Sequence, residues 1–518
     1  MFRRFLFDRK YLMVSNVFRL FLSALILLAI DTPYRVDAQQ GTEWRPDEKV
    51  PGYSDDTFTP VLVTDQKRTV HAFASQWVGD QDRQLAIIYR QWSLTGGWTK
   101  PIDVLLSPDG EARIQGAFVD SSGIVHVIFW GGDSKNANIY YSHAPVEKAD
   151  ESRAWSEPVV IGERAIEPSS ATMAGDDQGN LVIIYTGNLE GNGLYAVHSA
   201  DAGQNWSKSK PIFLTYNSFL MPYSADLYMG QNGLLHATWN VVTGTGVDDS
   251  LYYARYDMVQ DQWTNPMNLN QRVEVQDSFG PSFPSIVDNG EDVIIMYNNG
   301  NPFAGRPVPA GRPVQAVSIS SDNGENWKAP EVPFYQLLGR SGEHTLVVDS
   351  NHVVHALFVQ RIESVENDKL KVLAGIWHST FQDGFWSNPE VLNTSIAPHD
   401  VRAVVCQGNV LLVVWREDPG QGNNGVWYSY IVLGSPELPV IQPPTQMPVS
   451  IATEISALSS EPTVVSTLPV ETLTVDLVNT PSTFSMNPAT PLIAATVFVA
   501  VMLLGIIIAY RYREIRNK

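Results

Sequence analysis

A β-rich unit recurs seven times between Gln39 and Gly434. From His71 to Leu412, six intervals cover 341 residues, or about 57 residues each. Repeats of this length in β-patterned sequence are typical of propeller blades with four strands. The sequence therefore predicts an all-β propeller with seven four-stranded blades, and the repeated strands are interpreted as its inner strands. These strands are Val70–Phe73, Val125–Phe129, Leu181–Tyr185, Leu235–Trp239, Val293–Tyr297, Val354–Phe358 and Leu411–Trp415.

A second signal predicts how the ring closes. Six of the units continue into a Trp with a proline close behind, as in Trp98–Pro101, but the last unit stops at Trp427–Tyr430 without one. The segment Trp44–Pro46 precedes the first full unit. We expect it to pair near Tyr428 and so remove the open edge between the first and last blades. The alternative is that Trp44 belongs to a disordered leader.

Charge and cysteine content exclude several classes of protein. The 518 residues include 35 Lys and Arg and 55 Asp and Glu, a net charge of −20. Such a chain is a poor partner for nucleic acid, whose binding depends on cationic contacts to phosphate. Cys406 is the one cysteine, so no internal disulfide forms, and no Cys/His cluster has the spacing of a zinc site. No metal or organic cofactor is expected.

The two ends of the sequence predict a cell-surface location. Residues 1–38 hold a basic region, the apolar run Leu20–Ile30 and small residues at Val36–Ala38, the pattern of a secretory signal peptide. An uncleaved anchor is the alternative. Residues 491–510 carry no charge and precede a basic tail at 511–518, so we expect a transmembrane helix with a cytoplasmic C-terminus. Residues 435–490 are rich in Pro, Ser and Thr, which predicts an extended stalk outside the cell.

Two segments share one motif. Ser199–Trp206 and Ser320–Trp327 both match S-x-D-x-G-x-x-W, and Ser379–Trp386 is a weaker copy. The motif is the Asp-box, or bacterial neuraminidase repeat, and residues 39–434 resemble the sialidase superfamily. That resemblance implies a propeller, with six blades as the alternative to seven, and places the boxes on outer turns away from the substrate. The box residues are therefore interpreted as structural: Ser199, Asp201, Gly203, Trp206, Ser320, Asp322, Gly324 and Trp327.

The resemblance also implies a site at one end of the central channel. In sialidases an arginine cluster binds the substrate carboxylate, an Asp acts as the acid, and a Tyr–Glu pair acts as nucleophile and base. A guanidinium suits this task because its planar fork binds a carboxylate in a bidentate manner. The arginine candidates are Arg113, Arg340 and Arg402, and the weaker catalytic candidates are Glu111, Glu343, Asp400 and Tyr223.

One of these arginines lies in a local match to the family. Ala112–Gln115 is similar to the aromatic-Arg-Ile-Pro motif of sialidases, with Ala in place of the aromatic residue and Gln115 in place of the proline. No motif pairs a Tyr with its Glu, so catalytic roles stay unassigned. The histidines of the repeated strands are interpreted as packing residues.

Two classes of function remain open. The first is a membrane-anchored surface module that recognises glycans or proteins without catalysis. The second is an exo-sialidase-type glycoside hydrolase that removes terminal acidic sugars. The count of seven units favours recognition, because the sialidase resemblance implies six blades, whereas the Arg-Ile match at Arg113 supports the enzyme.

Overall fold

The computed structural model describes residues 43–441, except 80–82, 109, 134–136, 167–169, 216, 231, 273–279, 301–313, 338, 367–368, 396 and 418–423. The predicted signal peptide, transmembrane helix and cytoplasmic tail lie outside the described residues, as does the predicted stalk from residue 442 onward. Within the described part, no helix has the length and apolar character needed to cross a membrane.

Seven antiparallel sheets of three to five strands form the blades, numbered here in chain order. Blade 1 contains Val61–Thr64, Val70–Val78, Gln84–Ser93, Gly97–Trp98 and Ile102–Leu106; blade 2 contains Glu111–Val119, Ile124–Gly132, Ala137–Pro145 and Val159–Gly162. Blade 3 contains Ala171–Gly175, Leu181–Gly187, Gly193–Ser199 and Lys210–Leu214; blade 4 contains Leu220–Met229, Leu234–Thr243, Asp248–Asp257, Gln262–Trp263 and Met267–Gln271.

Blade 5 contains Ser282–Asp288, Val293–Asn299 and Val314–Ser320; blade 6 contains Gly339–Val348, Val354–Glu366, Lys369–Gln382, Phe385–Trp386 and Glu390–Thr394. Blade 7 contains Pro398–Cys406, Val410–Glu417, Gly425–Val432 and the N-terminal Glu48–Lys49. Two short 3-10 helices, Val146–Lys148 and Ser152–Ala154, precede the last strand of blade 2. The prediction of a seven-bladed all-β propeller is confirmed, and the six-bladed alternative is wrong.

The first strand of each blade lines the channel. Each first strand contacts the first strand of the next blade, and Val61–Thr64 of blade 1 contacts Pro398–Cys406 of blade 7, which completes the ring. The repeated Val-His strands are therefore second strands, and their interpretation as inner strands is wrong. Because all blades repeat one strand order, the first strands begin at the same end of the channel. That end is called the mouth below.

The N-terminal segment closes blade 7, as predicted. Glu48 and Lys49 pair with Tyr428 and Trp427, and the amide of Arg45 donates to the carbonyl of Tyr430 at 3.0 Å. Closure leaves no unpaired edge between the first and last blades. The core consists of apolar clusters that each join two adjacent blades, and these contact zones are called seams.

Candidate functional site

The Asp-box carboxylates are bound within their own turns. The Ser199 hydroxyl donates to Asp201 Oδ1 at 2.8 Å, and the amides of Gly203 and Asn205 donate to Ser199 Oγ and Asp201 Oδ1 at 2.9 and 2.8 Å. The box at Ser320–Trp327 repeats these bonds with Asp322. Hydrogen bonds from Asn326 lower the pKa of Asp322 to about 2. Both carboxylates serve the local turn.

The glycine and tryptophan of each box join adjacent blades. Gly203 has φ of +81°, and a Cβ there would collide with the hydroxyl of Tyr141 in blade 2. Trp206 meets the same tyrosine ring edge-on, with 4.9 Å between ring centroids. The Tyr141 hydroxyl lies 2.7 Å from His126 Nδ1, a buried repeated histidine. Both turns follow the third strand of their blade, so the boxes lie at the end of the propeller opposite the mouth.

The four repeated histidines all take part in this packing. His71, His126 and His236 each lie 2.7 Å from a tyrosine hydroxyl of the third strand, and His355 lies 3.0 Å from His378. Each also faces a carboxylate through Nε2, at 3.2 to 3.8 Å. Among the described residues, no group of His, Cys, Asp and Glu side chains is arranged to hold a metal ion.

Most first strands carry a β-bulge near the mouth. The pairing between first and second strands shifts in blades 2, 4, 5, 6 and 7. A bulge reorients side chains and is frequent next to functional sites. The residues at the shifts are Gln115, Ser224, Phe283–Pro284, Gly342–Glu343 and Asp400–Val401. Two candidates from the sequence, Glu343 and Asp400, are therefore bulge residues that border the channel.

The bulges of blades 6 and 7 bring three predicted residues together. The amide of Asp400 donates to Glu343 Oε2 at 3.3 Å, and Arg402 Nε donates to Asp400 Oδ1 at 3.4 Å. Asp400 has φ of +51°, an unusual conformation for a residue with a Cβ. The Arg402 side chain keeps 40% of its surface exposed, so it remains accessible from the channel.

Tyr223 and two carboxylates that the sequence did not indicate lie on blade 4. Burial raises the pKa of Tyr223, and the charges of Asp248 and Glu343 add to that rise. Burial also raises the pKa of Asp226 and of Asp248 to about 6. Asp226 accepts a hydrogen bond from the Ile286 amide at 2.9 Å, and the positive charge of Arg402 opposes its rise in pKa.

Arg113 belongs to a second group at the mouth. Its guanidinium pairs with Glu111 at 2.7 Å and lies 5.8 Å from the ring centre of Phe58. The guanidinium of Arg416, which the sequence did not indicate, lies 5.2 Å from the centre of the same ring. Its buried Nε has no hydrogen-bond partner among the described residues. Both guanidinium groups thus lie near the Phe58 ring, and within the described part of the chain only that of Arg113 forms an ion pair with a carboxylate.

Arg340 lies at the start of the first strand of blade 6, where its backbone is opposite Arg361. Its side chain is outside the described part of the structure. The mouth therefore presents two groups: Arg402 with Asp400, Glu343, Tyr223 and Asp226, and Arg113 with Glu111, Phe58 and Arg416. The fold and these groups define a seven-bladed β-propeller with a charged channel mouth.

No protein-family model matches the chain, and no curated protein matches it. Among solved structures, an ulvan lyase bound to -[GlcA(1-4)Rha3S]- is 10% identical with a TM-score of 0.47, over 76% of this chain and 96% of that chain. The polysaccharide lyase Uly1 is 11% identical with a TM-score of 0.46, over 78% and 94%. An α-L-arabinanase of Penicillium chrysogenum is 14% identical with a TM-score of 0.43, over 76% and 99%. Likeness at this level identifies no ligand.

Proposed function

We propose that this protein is a membrane-anchored cell-surface propeller that recognises carboxylate-bearing glycans at the channel mouth. The carrying observation is the pair of guanidinium groups of Arg113 and Arg416, which lie 5.8 and 5.2 Å from the ring centre of Phe58 at the mouth. Two neighbouring guanidinium groups favour an anionic ligand, because each can donate charged hydrogen bonds to a carboxylate. The half-buried ring of Phe58 near both arginines adds an apolar surface for a sugar ring.

The path of the chain after blade 7 supports this assignment. The amide of Leu438 donates to the carbonyl of Gln407 at 2.7 Å, and the amide of Ile441 donates to that of Gln66 at 3.2 Å. Gln407 and Gln66 lie in turns between first and second strands, at the end opposite the mouth. This part of the chain therefore lies at the end opposite the mouth and does not cover the mouth.

The test is a comparison of 3′-sialyllactose with lactose binding to the full chain by calorimetry. We expect binding of the acidic sugar alone. Arg416→Ala and Arg402→Ala should each weaken it by about 1.5 to 3 kcal/mol, the usual loss for a charged hydrogen bond. Arg153→Ala, at an exposed site in the short helix Ser152–Ala154, is the matched control. Equal binding of lactose, or unchanged binding by both mouth variants, refutes the proposal.

A second function, hydrolysis of terminal acidic sugars, is favoured by the carboxyl groups of Asp226 and Asp248. A pKa of about 6 leaves part of each protonated in mildly acidic solution, as a general acid requires. Tyr223 lies within electrostatic reach of Glu343, the two residue types that a sialidase uses as nucleophile and base. Release of fluorophore from a fluorogenic sialoside between pH 4 and 8 would support hydrolysis, with Asp248→Asn expected to abolish it. No release at any pH rejects hydrolysis and leaves recognition open.

A further inference from the structure

Polar side chains link neighbouring blades at six of the seven seams. In each case a side-chain oxygen of one blade accepts a hydrogen bond from a backbone amide in the first strand of the next blade, at 2.7 to 3.3 Å. These bonds hold adjacent blades together around the channel. The pairs of acceptor and donor are Ser75–Ile114, Gln115–Ala171, Ser170–Ala225, Asp226–Ile286, Ser285–Leu346 and Glu343–Asp400.

The seam between blades 7 and 1 departs from this pattern. Asp400 is a bulge residue of blade 7, as Glu343 is in blade 6 and Gln115 in blade 2. Among the described residues, no amide of blade 1 donates to the Asp400 carboxylate, which accepts a hydrogen bond from Arg402 Nε at 3.4 Å instead. The bulge side chain of blade 7 is therefore not used to hold the next blade.

Asp400 and Arg402 both have spare hydrogen-bonding groups at the channel. Their side chains keep 35% and 40% of their surface exposed. The 3.4 Å contact between them is long, because charged hydrogen bonds between nitrogen and oxygen usually measure about 2.7 to 2.9 Å. Within the described part of the chain, the terminal nitrogens of Arg402 donate to no acceptor. The pair thus presents an acceptor and several donors side by side.

The surroundings of this pair favour a neutral ligand group over an anion. The carboxyl group of Glu343 accepts the amide of Asp400, and the positive charge of Arg402 acts to lower the pKa of Asp226, which is therefore nearby. These carboxyl groups would repel a further anionic group. A sugar hydroxyl both donates and accepts hydrogen bonds, so it can bond to a carboxylate and to a guanidinium.

The pair adjoins the site of Arg113 and Arg416 through blade 7. Arg416 lies directly opposite His399 in the antiparallel pairing of the first two strands, and His399 precedes Asp400. Opposed residues in such a pairing have Cα atoms about 4.5 to 5.5 Å apart. One oligosaccharide can therefore contact both places.

We propose that Asp400 and Arg402 form a second subsite at the mouth, called the neutral subsite, which binds hydroxyl groups of a neutral sugar. This inference rests on the proposed recognition of acidic glycans and defines the ligand further. The ligand is an oligosaccharide whose acidic residue binds at Arg113 and Arg416 and whose neutral neighbour binds at the neutral subsite. The bulge residue that serves blade contact in blades 2 and 6 thus serves recognition in blade 7.

The test compares an acidic monosaccharide with acidic trisaccharides by calorimetry on the full chain. The probes are the methyl α-glycoside of N-acetylneuraminic acid, 3′-sialyllactose and 6′-sialyllactose, and the two trisaccharides cover both linkages to the neutral sugar. We expect at least one trisaccharide to bind about tenfold tighter than the methyl glycoside, the value of one hydrogen bond to a charged group. Equal binding of all three probes overturns this inference alone, whereas no binding of any probe refutes the proposed function as well.

Variants locate the gain in affinity. Asp400→Gly removes the carboxylate and tolerates the φ of +51°, so it should abolish the advantage of the trisaccharide. Asp383→Gly is the matched control, because Asp383 is exposed, has φ of +53° and follows the third strand of blade 6 at the end opposite the mouth. Arg416→Ala should weaken all three probes alike. A preserved advantage in folded Asp400→Gly overturns the inference, and if that variant does not fold, a preserved advantage in Arg402→Ala does so.

Discussion

Replacing an Asp-box glycine by alanine tests how these turns hold adjacent blades together. Gly203 has φ of +81°, and a side chain in this conformation costs about 1 to 2 kcal/mol. The new Cβ would also overlap the Tyr141 hydroxyl, so the tyrosine must move. That movement breaks a buried 2.7 Å hydrogen bond with His126, a further loss of about 1 to 3 kcal/mol. We therefore expect Gly203→Ala to reduce the free energy of unfolding by about 2 to 5 kcal/mol.

The weaker box in blade 6 supplies the matched control. Gly384 also has φ of +81°, but no atom lies within 4 Å of the position its Cβ would take. Gly384→Ala should cost only the conformational part, about 1 to 2 kcal/mol. Urea unfolding of the full chain, followed by tryptophan fluorescence, measures both variants. Equal losses for Gly203→Ala and Gly384→Ala would refute the role given to the tyrosine hydroxyl.

Three further predictions concern pH, ring closure and topology. Burial lowers the pKa of His378 to about 3 and that of His236 and of His344 to about 4, so the folded chain binds fewer protons than the unfolded chain below about pH 6.5. The urea midpoint should therefore fall between pH 7 and pH 4.5. The raised pKa values of Asp226 and Asp248 act in the opposite direction, but they are two groups against three. A midpoint that does not change with pH would contradict this prediction. Trp44→Ala should remove about 2 to 4 kcal/mol from the free energy of unfolding, and a loss below 0.5 kcal/mol would show that the N-terminal segment does not secure blade 7. Protease added to intact cells should release the propeller by cutting within residues 435–490; if no soluble fragment appears, the predicted topology is wrong.

The number of blades and the ring closure could be predicted because both depend on a repeat that is visible in the sequence. A repeat of about 57 residues with regular strand and turn signals specifies one blade per unit, because each unit forms its own sheet. Ring closure is visible in the same way, because the last unit lacks an outer strand after Trp427 and the segment at Trp44 precedes the first full unit. The Asp-box turns are local too, since the side chains of Ser199 and Asp201 form their hydrogen bonds within the eight residues of the box.

The position of the strands within each blade required the tertiary structure. The Val-His strands are the clearest repeated element of the sequence, and the repeat alone does not distinguish a first strand from a second. They are apolar because a second strand is flanked by strands on both sides and by neighbouring blades on both faces, and Ala72 and Phe73, for example, are fully buried. A first strand borders the channel, where polar side chains and bulges are tolerated, so its sequence is less regular.

The composition of the mouth also depended on the tertiary structure. Asp226, Asp248 and Arg416 carry no motif, and they approach Arg402, Tyr223 and Phe58 only because the ring brings distant blades together. The raised pKa values of Asp226 and Asp248 follow from burial and from neighbours far away in sequence. The sequence by itself determined the repeat and its local turns, whereas long-range packing decided which side chains share the mouth, because proximity across a propeller bears no fixed relation to separation along the chain.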